Sequence, residues 1–167
     1  MPINLELKAR IDSTLKTVGI LRKIARESVT LNQTDTYFRV RRGRLKLREF
    51  SKGKSQLIFY VRNEKSGYRW SKYKILTISD GRKMKEFLTQ SLGTTVIVEK
   101  TRRVFYYRDE ARIHVDRVRG IGSFLEMEIF CKRNRKNAVV LYNELVNKLG
   151  IVKNKLVRVS YADLIRG

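Results

Sequence analysis

Between Ile3 and Ile11 apolar and polar residues alternate without a break. Strand-like segments then follow at about 29–41, 44–51, 55–63, 68–78, 95–107, 110–118 and 123–132. A period of two places successive side chains on opposite faces of a strand, so these segments are expected as β-strands with distinct faces. Most are joined by stretches too short for a crossover connection, which favours antiparallel neighbours. Three other segments are expected as helices. The first is capped at Asp12-Ser13 and runs to about Arg26, with Leu15, Val18, Leu21, Ile24 and Ala25 on one face. The second, about 80–91, opens at Ser79-Asp80, and the third, about 134–149, carries Val139, Val140, Leu145, Val146 and Leu149. Ser160 is expected to cap a last short helix with Tyr161, Leu164 and Ile165. The pattern predicts an α+β protein built on an antiparallel sheet. Strand order and barrel closure do not follow from it. With 167 residues and no linker-like or repetitive tract, one domain over residues 1–167 is expected.

The charges fall on particular strand faces. Glu6, Lys8 and Arg10 oppose Leu5, Leu7 and Ala9; Arg44, Lys46 and Arg48 oppose Leu45 and Leu47. Lys100 shares a face with Arg102, Arg112 with His114 and Asp116, and Glu126 with Glu128, opposite Leu125, Met127 and Ile129. One arrangement consistent with this is an amphipathic sheet with its charges in water. The other is a closed barrel with helices over the apolar side and the charges inside, where they must be paired or met by a ligand. A carboxylate cluster set among Arg and Lys supplies oxygen donors for Mg²⁺ or Mn²⁺ and cations for phosphate oxygens. That is the constellation phosphoryl chemistry uses.

Bulk composition narrows the partners. Lys and Arg number 38 against 16 acids, a formal charge of +22, which attracts phosphate-bearing ligands, nucleic acid or anionic membrane surfaces without choosing among them. The single Cys131 excludes an intrachain disulfide and a four-thiolate zinc site, and its apolar neighbours predict a buried small side chain. No run approaches the roughly 20 apolar residues of a membrane span, and no signal core opens the chain. A soluble cytoplasmic protein without membrane partners is expected, with a nuclear location as the alternative. The run Lys132-Arg-Asn-Arg-Lys136 reads as a solvated turn or a nucleic-acid patch. Tyr68, Trp70 and Tyr73 are expected in core or rim packing, with base stacking as the alternative.

The ordered motifs resemble the CYTH, or triphosphate-tunnel, superfamily, which includes class IV adenylyl cyclases and thiamine triphosphatases. They begin with Asn4-Leu-Glu-Leu-Lys8, where the family has Glu-x-Glu-x-Lys, and continue with Gln33-Thr-Asp-Thr-Tyr-Phe38 and Gly43-Arg-Leu-Lys-Leu-Arg-Glu49. Leu57-Ile-Phe-Tyr-Val-Arg62, Val98-Glu-Lys-Thr-Arg102, His114-Val-Asp116, Gly120-Ile-Gly-Ser-Phe-Leu-Glu-Met-Glu128 and Ser160-Tyr-Ala-Asp-Leu-Ile165 complete the set. The resemblance implies an eight-stranded antiparallel closed β-barrel, a triphosphate tunnel, with helices packed outside. It implies Glu6, Asp116, Glu126 and Glu128 as ligands for Mg or Mn. It further implies Lys8, Arg39, Arg41, Lys46, Arg48, Arg62, Lys100 and Arg102 as phosphate contacts, with Arg112 added by its shared face with Asp116. Lys8, Glu6 and Glu126 are the implied catalytic residues. The expected substrate is ATP, thiamine triphosphate or inorganic triphosphate, turned over by a triphosphatase or a cyclase, and the cyclase-like branch implies a homodimer. Asn4 removes one negative charge from the expected metal site. The alternative is a non-catalytic module of the same fold that binds RNA or polyphosphate.

Overall fold

The computed structural model describes residues 1–63, 68–132 and 134–167. Eight strands form the frame: β1 (Ile3–Arg10), β2 (Arg26–Phe38), β3 (Arg44–Phe50), β4 (Ser55–Arg62), β5 (Arg69–Ile78), β6 (Thr94–Tyr107), β7 (Ala111–Val118) and β8 (Gly122–Phe130). They are joined in the order β1-β5-β4-β3-β2-β6-β7-β8, and β8 pairs back onto β1. Every pairing is antiparallel, so the sheet is a closed barrel with four α-helices, as the sequence motifs imply.

The helices are α1 (Thr14–Ile24), α2 (Gly81–Leu92), α3 (Arg135–Lys148) and α4 (Tyr161–Arg166), and each has a side-chain N-cap: Ser13, Asp80, Asn134 and Ser160. The caps accept hydrogen bonds from otherwise unpaired backbone N–H groups of the first turn. The apolar faces of the strands point outward. Leu5, Leu7, Ala9, Ile113, Val115, Leu125, Met127 and Ile129 pack with Val18 and Leu21 of α1 and Ala138, Leu141 and Leu145 of α3. On another flank, Leu47 and Phe38 pack against Leu88 of α2. The principal core is therefore a jacket around the barrel, which leaves the interior for polar groups.

Several boundaries differ from the sequence reading. Strand β2 begins at Arg26, where α1 was expected to continue, and ends at Phe38. A register shift between Tyr37 and Phe38 disrupts the β2–β6 ladder, and Arg39 N–H instead bonds the Gly93 carbonyl. Residues 39–43 are consequently a loop, and Gly43 at φ +68° completes it. A side chain there would meet the Tyr60 carbonyl oxygen at 2.7 Å, besides straining the backbone. Leu15 is 85% exposed, because the buried positions of α1 are Val18 and Leu21 and the hydroxyl of Thr14 reaches Ser123. Val140 is likewise exposed, since α3 turns Ala138, Leu141 and Leu145 inward. Cys131, expected buried, is only half-buried because it lies just past the end of β8. Arg133 of the basic run lies outside the described residues. Among those described, no helix is long and apolar enough to cross a membrane.

Candidate active site

The inward strand faces enclose a chamber of about 110 Å³ lined by Asn4, Glu6, Lys8, Lys46, Arg48, Arg62, Arg69, Lys100, Arg102, Arg112, Glu126 and Glu128, among others. Register explains the neighbours. On β1 and β8, Glu6 lies opposite Glu128 and Lys8 opposite Glu126. On β2 and β3, Asp35 lies opposite Arg48, and on β6 and β7 Arg102 lies opposite Asp116.

Two buried carboxylates organise the cations. Asp35 accepts from Arg48 Nε at 2.7 Å, Arg48 NH2 at 2.8 Å, Lys46 Nζ at 2.8 Å and Lys100 Nζ at 3.3 Å. Burial opposes its charge, but Arg48, Lys100 and Lys46 prevail and hold the carboxyl well below the usual range. Asp116 accepts from Arg102 Nε at 2.7 Å and NH2 at 2.5 Å, and from the Tyr161 hydroxyl at 2.9 Å. Both carboxylates thus fix the orientation of guanidinium and ammonium groups at the chamber wall.

The remaining acids face the chamber. Glu126 pairs with Lys8 at 3.2 Å and Arg102 at 2.5 Å. Burial again disfavours its charge, yet Lys8, Arg102 and Lys100 hold the carboxyl well below the usual value. Glu6 lies 3.4 Å from Arg62 and 3.7 Å from Arg69, and Glu128 pairs with Arg112 at 2.5 Å. Burial pushes the Glu6 carboxyl up; Arg62 opposes this, while nearby Glu128 and Glu126 add to it. Burial also weakens two cations, lowering Lys8 to about 8 and Lys100, which also feels Arg102, to about 7.

One end is sealed from within. Past the three-residue 3₁₀ turn at Lys153–Lys155, Val157 N–H bonds the Lys8 carbonyl at 2.8 Å, and Arg69 donates to the Val157 carbonyl at 2.9 Å. Helix α4 then places Tyr161 and Ala162 among Tyr37, Ile58, Tyr60, Val98, Val118 and Phe124, an apolar layer. Arg44 fastens α4 through a two-pronged contact with Asp163, at 3.0 and 2.8 Å.

Most of the residues expected from sequence meet here: Glu6, Lys8, Lys46, Arg48, Arg62, Lys100, Arg102, Arg112, Glu126 and Glu128. Asp116 is adjacent but does not line the chamber, and its contacts to Arg102 and Tyr161 make it an orienting group in this arrangement. Arg39 and Arg41 are exposed on the loop after β2 and are not brought to the chamber, because that strand stops at Phe38. His114 is 2% exposed, with Nδ1 4.0 Å from Glu126 and without a hydrogen-bond partner for that atom among the described residues; burial holds its pKa well below the ordinary value. Sequence reasoning missed Asp35, Arg69 and the position of Tyr161. Asp35 left a readable signal, a lone acid sharing a strand face with Gln33 and Tyr37.

The geometry agrees with comparison to known proteins. The family model of the CYTH domain matches residues 2–161. The chain belongs to the CYTH family. Similar solved structures include the PH1012 protein of Pyrococcus horikoshii, 17% identical, with a TM-score of 0.85 and coverage of 96% of this chain and 98% of that one. A candidate adenylate cyclase of Vibrio parahaemolyticus is 17% identical with a TM-score of 0.80, covering 99% and 98%. A candidate adenylyl cyclase from Hippeastrum, whose structure is described as revealing a dominant triphosphatase activity, is 14% identical with a TM-score of 0.72, covering 99% and 95%. At these identities the likeness is one of fold. No curated protein sequence matches the chain.

Proposed function

We propose that this CYTH protein binds a triphosphate in the chamber together with Mg²⁺ or Mn²⁺ and catalyses attack on it. The observation that carries the reading is the cation set formed by Lys8, Lys46, Arg48, Lys100 and Arg102. It converges on one cavity that also presents Glu6, Glu126 and Glu128. Cations fixed in advance by Asp35 and Asp116 stabilise charge on phosphate oxygens without reorganising during reaction. Among the described residues, no three carboxylate, imidazole or thiol groups already stand together as a metal cluster. The donor chemistry nevertheless suits a hard cation: Glu6 is disfavoured as an anion partly by Glu128 and Glu126, a repulsion a divalent ion relieves. Glu6, Glu126 and Glu128 would hold it. When bound, it would neutralise phosphate oxygens.

In hydrolysis, water attacks the terminal phosphorus and the bond to the diphosphate oxygen breaks; in cyclisation, the ribose 3′-hydroxyl attacks the α-phosphorus and pyrophosphate leaves. Lys8, which lines the chamber and is held 3.2 Å from Glu126, orients the nucleophile in either case. We favour a triphosphatase on a cyclase-like scaffold, because hydrolysis requires no base pocket. The second reading, a non-catalytic polyanion module, rests on Asn4, which supplies a carbonyl oxygen where relatives supply a carboxylate. The deciding assay is phosphate and pyrophosphate release from inorganic triphosphate, ATP and thiamine triphosphate with Mg²⁺, Mn²⁺ or EDTA. Metal-dependent release abolished by Glu126→Gln and Lys8→Ala supports the enzyme. Triphosphate binding by folded protein without turnover of any of them overturns it in favour of the module.

A further inference from the structure

The chamber does not account for the charge of this molecule. Around it Lys8, Lys46, Arg48, Arg62, Arg69, Lys100, Arg102 and Arg112 stand against Glu6, Asp35, Asp116, Glu126 and Glu128, a small excess in a chain of +22. The excess is concentrated in sequence: from Arg39 to Ile78 there are 13 Lys and Arg against two acids, Glu49 and Glu64. The core jacket leaves part of this region uncovered. Helix α2 packs against β2 and β3 and helix α3 against β1 and β8, while the outer face of β4 and β5 lies between them.

We propose that this outer face binds single-stranded nucleic acid, independently of the chamber. Along β5 the outward positions are Trp70, Lys72, Lys74 and Leu76, with Tyr68 just before the strand; Tyr73 points the other way and lines the chamber. Lys72 and Lys74 are exposed and have no acidic partner among the described residues, and neither β4 nor β5 contains a carboxylate. Phe59 of β4 lies directly opposite Lys74. At one end Tyr68 is 40% exposed, with its ring edge-on to Tyr142 at 5.3 Å, and the Arg135 guanidinium covers Trp70 at 4.9 Å. At the other end the exposed Arg41 and Arg42, without an acidic partner among the described residues, precede Gly43, which abuts the Phe59 ring.

A pair of cations on the same strand face as a pair of aromatic rings, with a third ring on the neighbouring strand opposite Lys74, is the kind of surface that tracks a phosphodiester chain and stacks its bases. Lys72 and Lys74 are about 6.7 Å apart along the strand, a spacing set by the pleat. A line of charge only a strand or two wide fits a linear polyanion better than a planar lipid surface. The rings favour bases over bare polyphosphate.

The test is fluorescence anisotropy of a labelled 12-nucleotide single-stranded RNA against the full chain, over a salt series. A Lys72→Glu/Lys74→Glu variant is compared with Lys16→Glu/Lys23→Glu, which makes the same charge change on α1. We expect the β5 variant to weaken binding more than tenfold and the α1 variant less than twofold. Replacing Lys72 and Lys74 by Ala should make the slope of log affinity against log salt shallower by about 1.4, as expected for two lost phosphate contacts to a single strand. Tyr68→Ala should weaken RNA binding about tenfold through lost stacking and leave polyphosphate binding unchanged. Inorganic triphosphate at chamber-saturating concentration should not displace the RNA. Equal losses in both charge variants, displacement by triphosphate, or no effect of Tyr68→Ala overturns the proposal. So does a β5 variant that loses binding to phosphatidylserine vesicles while keeping RNA. None of these readouts requires turnover, so the surface and the chamber stand or fall separately.

Discussion

The Tyr161 ring lies 3.9 Å from the Lys8 ammonium while its hydroxyl donates to Asp116 at 2.9 Å. One side chain of α4 thus couples the lysine of β1 to the carboxylate that orients Arg102. Tyr161→Phe keeps the ring and deletes the bond, which should lower unfolding free energy by about 1–3 kcal/mol. Tyr161→Ala also removes the apolar seal and should cost about 3–5 kcal/mol. Urea denaturation of the two variants measures both.

Asp35 holds three cations together at zero exposure. Removing one partner of a buried ion cluster leaves uncompensated charge, so Asp35→Ala should destabilise the protein by about 3–5 kcal/mol. An anion in the chamber replaces part of the missing charge. Triphosphate should therefore raise the melting temperature of Asp35→Ala more than that of the wild type at equal concentration, as thermal melts with and without ligand will show.

Burial and Arg102 lower Lys100 to about 7, against an ordinary 10.5. Between those values the unfolded chain holds a proton that the folded chain does not, so this group makes ligand-free stability rise with pH from about 7 to 10.5. Triphosphate affinity runs the opposite way, falling as pH rises through about 7 and Lys100 loses its charge. Lys100→Arg keeps the charge throughout. It should flatten both profiles, read by calorimetric titration and denaturation between pH 6 and 9.

The sorting of the charges onto one strand face was legible because alternation is strict in β1 and in the 44–48 segment, whereas the inward turn of that face was implied by the family resemblance alone. Leu5, Leu7 and Ala9 demanded cover, which sent Glu6 and Lys8 the other way. The limits of β2 were not legible: Arg39 and Arg41 continue an alternating pattern, and only the irregular pairing at Phe38 stops the strand. The seal was not legible either. Ser160 announced a helix, but its location depends on contacts such as Lys8 to the Val159 carbonyl, 151 residues apart.

Asn4 is 4% exposed and lines the chamber two residues from Glu6. Asn4→Glu adds a carboxylate to that face, and cation affinity follows ligand charge. Mn²⁺ binding should strengthen about tenfold by calorimetric titration in the absence of triphosphate, and EDTA should reverse it.

Strand β1 is bonded along both sides, to β5 and to β8. Detaching it would bare two sheet edges at once, and the two differ in kind. The edge at β5 carries Lys72 and Lys74, whose charges repel another copy of the same strand. The edge at β8, Phe-Leu-Glu-Met-Glu-Ile-Phe, carries two carboxylates that a basic neighbour would neutralise, between side chains suited to strand addition. Like edges would therefore repel at both strands, and only unlike edges, β8 of one copy and β5 of another, would be drawn together if β1 left its place between them.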